Sequence, residues 1–327
     1  MNKKKWMIKS VMTAVIATSV FAITIPAEAA SSTILKKTVN TVKKGPIIQS
    51  GKIKSKNNLM SISNQKAAIK TKEASQYTAS IKKEIESAAK ALKDKKVELA
   101  ADHLAKVDYF VKQAGKMGLS KSSKLIKDAT SKLPQTLSEF NKKGTLYVAS
   151  STNATKPTVF GPAKGNQTIN HTVFVYAGSN EHIKLTNLNV NANIIVKGTI
   201  TGAGSVYFDH VKVNKVKGIG GSVIVQDIAE QGLYLRAVQA GEVIVNDSNT
   251  STLVAENGVK VQKLTVSENA GLKGAVTLES KGKGTFSEVT LAAKGPTGVI
   301  LKGDFSSSKV TVTGKGSKVS IFKAGVV

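Results

Sequence analysis

The chain has 327 residues, with 48 Lys and Arg against 21 Asp and Glu, for a formal net charge of +27. Only Arg236 is an arginine, so the charge is lysine charge, suited to diffuse attraction to polyanions rather than to bidentate reading of one phosphate or base edge. There is no cysteine, which excludes disulfides, thiolate metal sites, thiol nucleophiles and a lipidated N-terminal cysteine.

Lys3, Lys4, Lys5 and Lys9 precede an apolar run from Val11 to Ile25, and Ala27-Glu28-Ala29 follows as a small-x-small site. This is the pattern of a secretory signal over residues 1–29, with an apolar core too short for a comfortable membrane span. No membrane span is expected once the signal is cleaved. A secreted, cysteine-free, lysine-dominated chain fits a Gram-positive origin. Residues 30–65 read as a basic flexible linker. From Ser31 to Gln65 there are seven lysines and no acid, with Gly45-Pro46 and Gly51 as breakers.

Residues 66–144 read as a helical domain. Ile69, Ala74, Tyr77, Ile81, Ile85, Ala88, Ala89 and Leu92 fall on one helical face. Lys93-Asp94-Lys95-Lys96 breaks the pattern. Val97, Ala100, Ala101, Leu104, Val107, Phe110, Val111 and Ala114 then form a second face, ended by Gly115 and Gly118. Ser120 or Ser122 is the expected cap of a third helix, restarted at Pro134. Alanine-rich faces let helices approach closely, so a helical hairpin or three-helix bundle is expected. Residues 31–150 carry 25 Lys against 9 acids.

Residues 145–327 change character: 22 of the 27 glycines lie after residue 150, among Val, Ile and Thr. From Leu188 the chain beats in apolar-x-apolar pairs. They include Ile194/Val196, Val206/Phe208, Val223/Val225, Leu233/Leu235, Val243/Val245, Leu264/Val266, Val276/Leu278, Val299/Leu301, Val310/Val312 and Val319/Ile321. Each pair predicts a short strand with one buried face. Spacing near ten residues fits a parallel β-solenoid of two strands and about twenty residues per turn, within the repeat range. The alternative is an antiparallel β-sandwich, for which Asn257-Gly258 is the one clear hairpin signal. The solenoid is favoured by a long beat without crossovers. The lysine-rich, polar stretch from Phe305 to Phe322 is expected to cap its end.

Leu188-Asn-Val-Asn-Ala-Asn-Ile-Ile-Val-Lys-Gly198 and Gly202-Ala-Gly-Ser-Val-Tyr-Phe-Asp-His-Val-Lys-Val213 carry a resemblance. The region resembles the single-stranded right-handed β-helix repeats of secreted and surface-layer-associated proteins of bacilli and paenibacilli. The resemblance implies an α+β multidomain chain, with a basic helical region followed by a right-handed parallel β-helix. The layout of signal peptide and Lys-rich helices also looks like some surface-layer proteins, in which such helices hold anionic cell-wall polymer. No surface-layer-homology repeat or sortase signal is visible, so any attachment is non-covalent.

Candidate chemistry is sparse. Asp227, Glu230, Glu242 and Asp247, with Arg236 between them in sequence, are the best paired carboxylates for an enzyme, but scattered acids in short turns are ordinarily solvated. The four histidines, His103, His171, His182 and His210, lack metal-ligand spacing. Gly218-Ile-Gly-Gly221 lacks the phosphate-loop context. One arginine and no aromatic platform beside the lysines argue against specific nucleic-acid binding. The expectation is a non-enzymatic, exported protein of the cell surface or extracellular matrix, with no cofactor and no metal. Its expected partner is an anionic cell-wall polymer such as teichoic acid, held by Lys82, Lys83, Lys90, Lys95, Lys96, Lys112, Lys116, Lys121, Lys124 and Lys127, with the solenoid as spacer or assembly surface. The alternatives are a β-helix polysaccharide lyase or hydrolase, and a self-assembling biofilm matrix protein.

Overall fold

The computed structural model describes residues 55–322, apart from Ser122, Gln231, Lys283, Gly284, Pro296, Thr297, Gly316 and Ser317. The span read as a secretory signal, and the part of the span read as linker before Ser55, lie outside the described residues. Among the described residues four helices are followed by a parallel β-solenoid of about 7 turns. The chain divides into two compact units, 1–71 and 72–327, and the second holds the solenoid and the helical core described below.

Helix α1 spans Ser55–Lys93 and α2 spans Val97–Lys116. α1 begins inside the span read as linker. The reason is that no Gly or Pro occurs between Gly51 and Gly115, so nothing in the sequence stops a helix there. The break at 94–96 uses Lys95 in the left-handed region (φ 59), with the Lys96 N–H donating to Ala91 O at 2.8 Å. α3 spans Lys124–Ala129 and α4 spans Leu133–Asn141. Ser123 caps α3, accepting from the Ile126 N–H at 3.4 Å, in place of Ser120 or Ser122. Pro134 sits in the first turn of α4, where its missing N–H costs nothing.

The predicted helical faces are buried: Ala74, Ile81, Ile85, Ala88 and Leu92 from α1, and Ala100, Ala101, Leu104, Val107, Val111 and Ala114 from α2. All of these but Ala74 share one core with Phe140 of α4 and with Phe174, Tyr176 and Ile195 on the outer side of the solenoid.

The solenoid has three walls. Wall one runs in parallel register through Gly144–Val148, Thr172–Tyr176, Ile194–Lys197, Ser222–Val225 and Glu242–Val245. It continues through Lys263–Val266, Glu288–Leu291 and Lys309–Val312. Wall two runs from Thr158–Phe160 through 182–186, 205–209, Leu233–Arg236, Ser251–Ala255, Val276–Ser280 and Val299–Gly303 to Val319–Phe322. Wall three is short: Gln167–Ile169, 188–190, 211–213, then the first residues of the strands beginning at Gln239 and Lys260. At 188–190 and 211–213 it continues strands of wall two around a corner, whereas at Gln239 and Lys260 it runs on into strands of wall one. The turn step varies from 20 residues (Val223↔Val243) to 29 (Ile194↔Val223). The longest step holds the one antiparallel pairing among the named strands, Lys215–Val216 with Ile219–Gly220.

Parallel pairing throughout the walls replaces the sandwich alternative, whose strands would pair antiparallel. Asn257-Gly258 is a corner, not a hairpin: the strands on either side of it pair with neighbouring turns. The predicted two strands per turn become three, the third being only two or three residues long and fused to the strand of wall two in some turns and of wall one in others. Inward residues of the paired beat form one continuous core, with Ile194, Val196, Val206, Val223, Leu233, Val243, Leu264 and Leu278 fully buried.

The corner between walls two and three needs a left-handed residue. Asn187 (φ 53), His210 (φ 55), Ala237 (φ 49) and Gly258 (φ 84) supply it in successive turns. Asparagine and glycine tolerate this region, whereas an alanine there costs roughly 1–2 kcal/mol. Ala237→Gly is therefore expected to stabilise the solenoid by roughly 0.5–1 kcal/mol, net of glycine's greater entropy loss. Thermal unfolding followed by circular dichroism should show a midpoint raised by about 1–3 °C. An unchanged or lowered midpoint would remove the strain from Ala237. At the next corner, between walls three and one, Asn191 Nδ2 donates to Asn170 Oδ1 at 2.8 Å and Asn214 Nδ2 to Asn191 Oδ1 at 3.1 Å. This ladder satisfies turn amides along the axis.

Candidate polyanion surface and the buried acids

Nine of the ten nominated lysines, all but Lys112, are exposed. Lys82, Lys83, Lys90, Lys95 and Lys96 lie on or just after α1, and Lys116, Lys121, Lys124 and Lys127 lie from the end of α2 into α3. They sit opposite the buried alanine faces, as amphipathic periodicity requires.

Lys112 has a different task. Its side chain is 17% exposed and lies 2.8 Å from Asp108 Oδ2 and 3.2 Å from Glu181 Oε1. It also donates to the Ala149 carbonyl at 2.6 Å. Burial works against its ammonium, yet Asp108 and Glu181 outweigh that and hold its pKa above the usual lysine value. Lys112 thus braces α2 against the first turns of the solenoid and is not free for a polymer. Around it, Tyr176 Oη donates to Asp102 Oδ1 at 2.6 Å, Lys197 reaches Asp102 at 2.7 Å and Glu98 at 3.1 Å, and Gln226 Nε2 donates to Glu98 at 3.1 Å. Burial and the neighbouring Asp102 push the Tyr176 hydroxyl far above its ordinary pKa. These groups form a polar rim to the apolar seam between helices and wall one.

A groove of about 600 Å³ lies between α1 and α4. Ile85, Ala89 and Leu92 give it an apolar lining, and Lys90, Lys93, Lys132 and Lys143 outnumber Glu86 and Glu139. Lys143 donates to the Leu92 carbonyl at 3.0 Å and Lys132 lies 3.5 Å from Glu86. The groove extends the basic surface, and Lys93, Lys132, Lys142 and Lys143 join it although they were not nominated. Lys93 ends α1, and Lys132, Lys142 and Lys143 flank α4, so their exposure was open to the same helical periodicity.

The structure separates the candidate acids. Asp227 and Asp247 occupy the corner after wall one in successive turns. Asp247 is fully buried and accepts from the Ile228 N–H at 3.0 Å and the Asn249 N–H at 2.9 Å. Burial raises the pKa of both, and the charge of Asp247 adds to the rise at Asp227. Asp227 and Glu230 line a shallow cavity of about 410 Å³ with Asn249 and Lys273. Glu242 and Arg236 are not part of it. Glu242 accepts from Thr265 Oγ1 at 2.9 Å on wall one, and Arg236 lies 3.8 Å from Asp209 on wall two. At Asp209 burial raises the pKa, but Lys184 at 2.6 Å, with His210 and Arg236, outweighs it and lowers the net value. Tyr207 and Tyr234 stack on the same wall, with centroids 4.9 Å apart.

His103 contacts Glu84 of α1 at 2.6 Å, and His210 contacts Asp209 at 2.8 Å. Among the described residues no cluster of three His, Asp or Glu could hold a metal ion, and no helix is long and apolar enough to cross a membrane.

Glu242 begins a row on the outer side of wall one. By parallel register it stands next to Lys263, then Glu288, then Lys309. The signs alternate along the axis, and the Lys263–Glu242 separation is 3.7 Å. Comparison with protein-family models, with curated proteins and with solved structures returned no match. The chemistry of the surface therefore rests on these residues alone.

Proposed function

We propose that the chain is an exported, non-enzymatic protein of the cell surface or extracellular matrix. Its basic helices hold an anionic wall polymer, and its solenoid serves as a spacer or assembly surface. In this reading the solenoid winds right-handed, the hand of the bacillar repeats it resembles, and α1 and α2 close as a hairpin. The observation that carries the reading is the exposure of nine nominated lysines on one helical region, in a chain whose residues 31–150 hold 25 Lys against 9 acids. Flexible ammonium groups suit a repeating polyphosphate, whose counterions they release on binding.

The test is retention of the purified chain on cell-wall sacculi, with and without their anionic polymer. Retention should fall roughly tenfold on stripped sacculi and again on raising salt, as expected when several phosphates are neutralised. Changing Lys82, Lys83, Lys90, Lys95 and Lys96 together to Gln should reproduce the loss. Equal retention on intact and stripped sacculi sinks the polymer claim. The second reading, a polysaccharide lyase or hydrolase, is favoured by Asp227 and Glu230 lining one cavity above the buried Asp247. It requires turnover of an acidic polysaccharide that disappears in Asp227→Asn.

A further inference from the structure

Wall three differs in charge from the rest of the solenoid. Its core side holds Ile169, Leu188, Val190, Val211, Val213 and Val261, all buried. Alternation turns the residues between them outward. The register sets one outward row along the axis: Thr168, Asn189, Lys212, Gln239 and Lys260. All but the half-buried Asn189 are exposed. The segments that build this wall and its corners are 161–171, 187–193, 210–217, 237–241 and 258–262. Together they hold five lysines and ten Asn or Gln, and no Asp, Glu, Phe, Tyr or Trp.

The lysines of this wall have no acid to answer. Among the described residues Lys164, Lys212, Lys215, Lys217 and Lys260 enter no ion pair, whereas Lys184, Lys197, Lys263 and Lys294 lie 2.6–3.7 Å from a carboxylate oxygen. Lys215 and Lys217 are exposed on the antiparallel hairpin of the longest turn step, at the corner between walls three and one. An excursion on an otherwise regular scaffold is where binding residues concentrate. The chain does not supply the missing charge from elsewhere. Of the residues outside the described set, Glu28 alone is an acid.

The residue types identify what fits. Unpaired ammonium groups attract anions. Amides donate and accept at once, which matches hydroxyl groups. Without aromatic rings the face has no platform for nucleic-acid bases. Lys212 and Lys260 stand two rungs apart, about 9–10 Å at ordinary strand spacing, with Gln239 between them. Anions repeated along an extended polymer can meet both.

We propose that wall three binds a linear acidic polysaccharide laid along the solenoid axis. Its carboxylates pair with Lys212 and Lys260. Its hydroxyls bond the Gln239 amide and Oδ1 of Asn214, whose nitrogen already donates to Asn191. The assignment is independent of wall-polymer binding by the helices.

The probe is polygalacturonate, a linear polyuronate, titrated by calorimetry at fixed ionic strength. Dextran is the uncharged arm, and polyphosphate is the arm with charge and no sugar hydroxyls. The background is the full chain with Lys82, Lys83, Lys90, Lys95 and Lys96 changed to Gln, so that the helices contribute less. Polygalacturonate should bind saturably and dextran should not. Adding Lys212→Gln together with Lys260→Gln should weaken polygalacturonate about five- to tenfold, the size of two exposed ion pairs. Gln239→Ala should weaken it about threefold, the size of one hydrogen bond, and leave polyphosphate unchanged. All three side chains are exposed, and circular dichroism checks that each variant keeps its strand signal. The proposal is overturned if the two lysines can be replaced without loss, which assigns the binding to other lysines. It is overturned equally if Gln239→Ala leaves polygalacturonate unchanged, or weakens polyphosphate as much, since the face would then read charge alone.

Discussion

Leu278→Ala is expected to cost about 3 kcal/mol, while Ile321→Ala, in the same row of the same wall, costs less than about 0.5 kcal/mol. Leu253, Leu278, Leu301 and Ile321 are register partners in consecutive turns, all directed inward. Leu278 is fully buried, whereas Ile321 is 67% exposed. Removing a buried leucine loses its transfer free energy and leaves a cavity that rigid neighbours fill only in part, for a total of roughly 2–5 kcal/mol. At Ile321 no following turn among the described residues closes over the side chain, which is 67% exposed, so neither loss is large. The contrast isolates burial from strand position, between two aliphatic side chains of the same size. Urea unfolding of both variants measures it, through a lowered midpoint with unchanged slope. A solenoid couples each turn mainly to its neighbours, so a change in slope for Leu278→Ala would mean that the turns on either side have begun to unfold separately. Equal costs at the two positions would show that Ile321 is covered in solution. Repeating the Ile321→Ala measurement at several protein concentrations tells whether a second copy provides the cover.

Much of the solenoid was legible because its signal is local. The pairs Val243/Val245 and Leu264/Val266 announce inward faces by alternation alone, and short turns leave no room for the uneven connections of a sandwich. The third wall was hidden. In the strand Ser205–Val213 the corner is a single residue, His210, whose left-handed conformation no composition rule predicts. The stacked asparagines could have been found, since Asn170, Asn191 and Asn214 recur at the turn length. The helix-covered face also had a signal. Val173-Phe174-Val175-Tyr176 and Ile194-Ile195-Val196 are apolar without alternation, and a strand apolar on both faces is buried on both. Phe174, Tyr176 and Ile195 are the residues the helices cover. For the lysines, sequence periodicity could place them on an outer face but could not set Lys112 apart. Its partner Glu181 lies 69 residues away along the chain, and only the fold brings the pair together.

Lys112→Met is expected to destabilise the protein by about 2–3 kcal/mol, although methionine preserves most of the alkyl stem and helix propensity. The ammonium joins Asp108, Glu181 and the Ala149 carbonyl, and its removal leaves two partly buried carboxylates and one carbonyl without their donor. Losing one partner of a fully buried ion pair costs roughly 3–5 kcal/mol. Asp108 and Glu181 are 27% and 18% exposed, so water recovers part of that, and the expected fall in unfolding midpoint is roughly 5–10 °C. The pH dependence supplies the sign. The folded pKa of Lys112 lies above its ordinary value, so the folded state holds this proton more tightly than the unfolded chain. The stabilisation is then complete below the ordinary lysine pKa near 10.4 and is lost as pH rises through the folded value. The gap in stability between the native chain and Lys112→Met should stay constant from pH 7 to about 10 and narrow above it. An exposed control, Lys95→Met, should show no such gap, because Lys95 lies on the surface at the turn between α1 and α2. A Lys112→Met midpoint within about 1 °C of the native one would mean that the junction of helices and solenoid is held by its apolar seam alone. In that case Lys112 would return to the set of lysines available to a polymer.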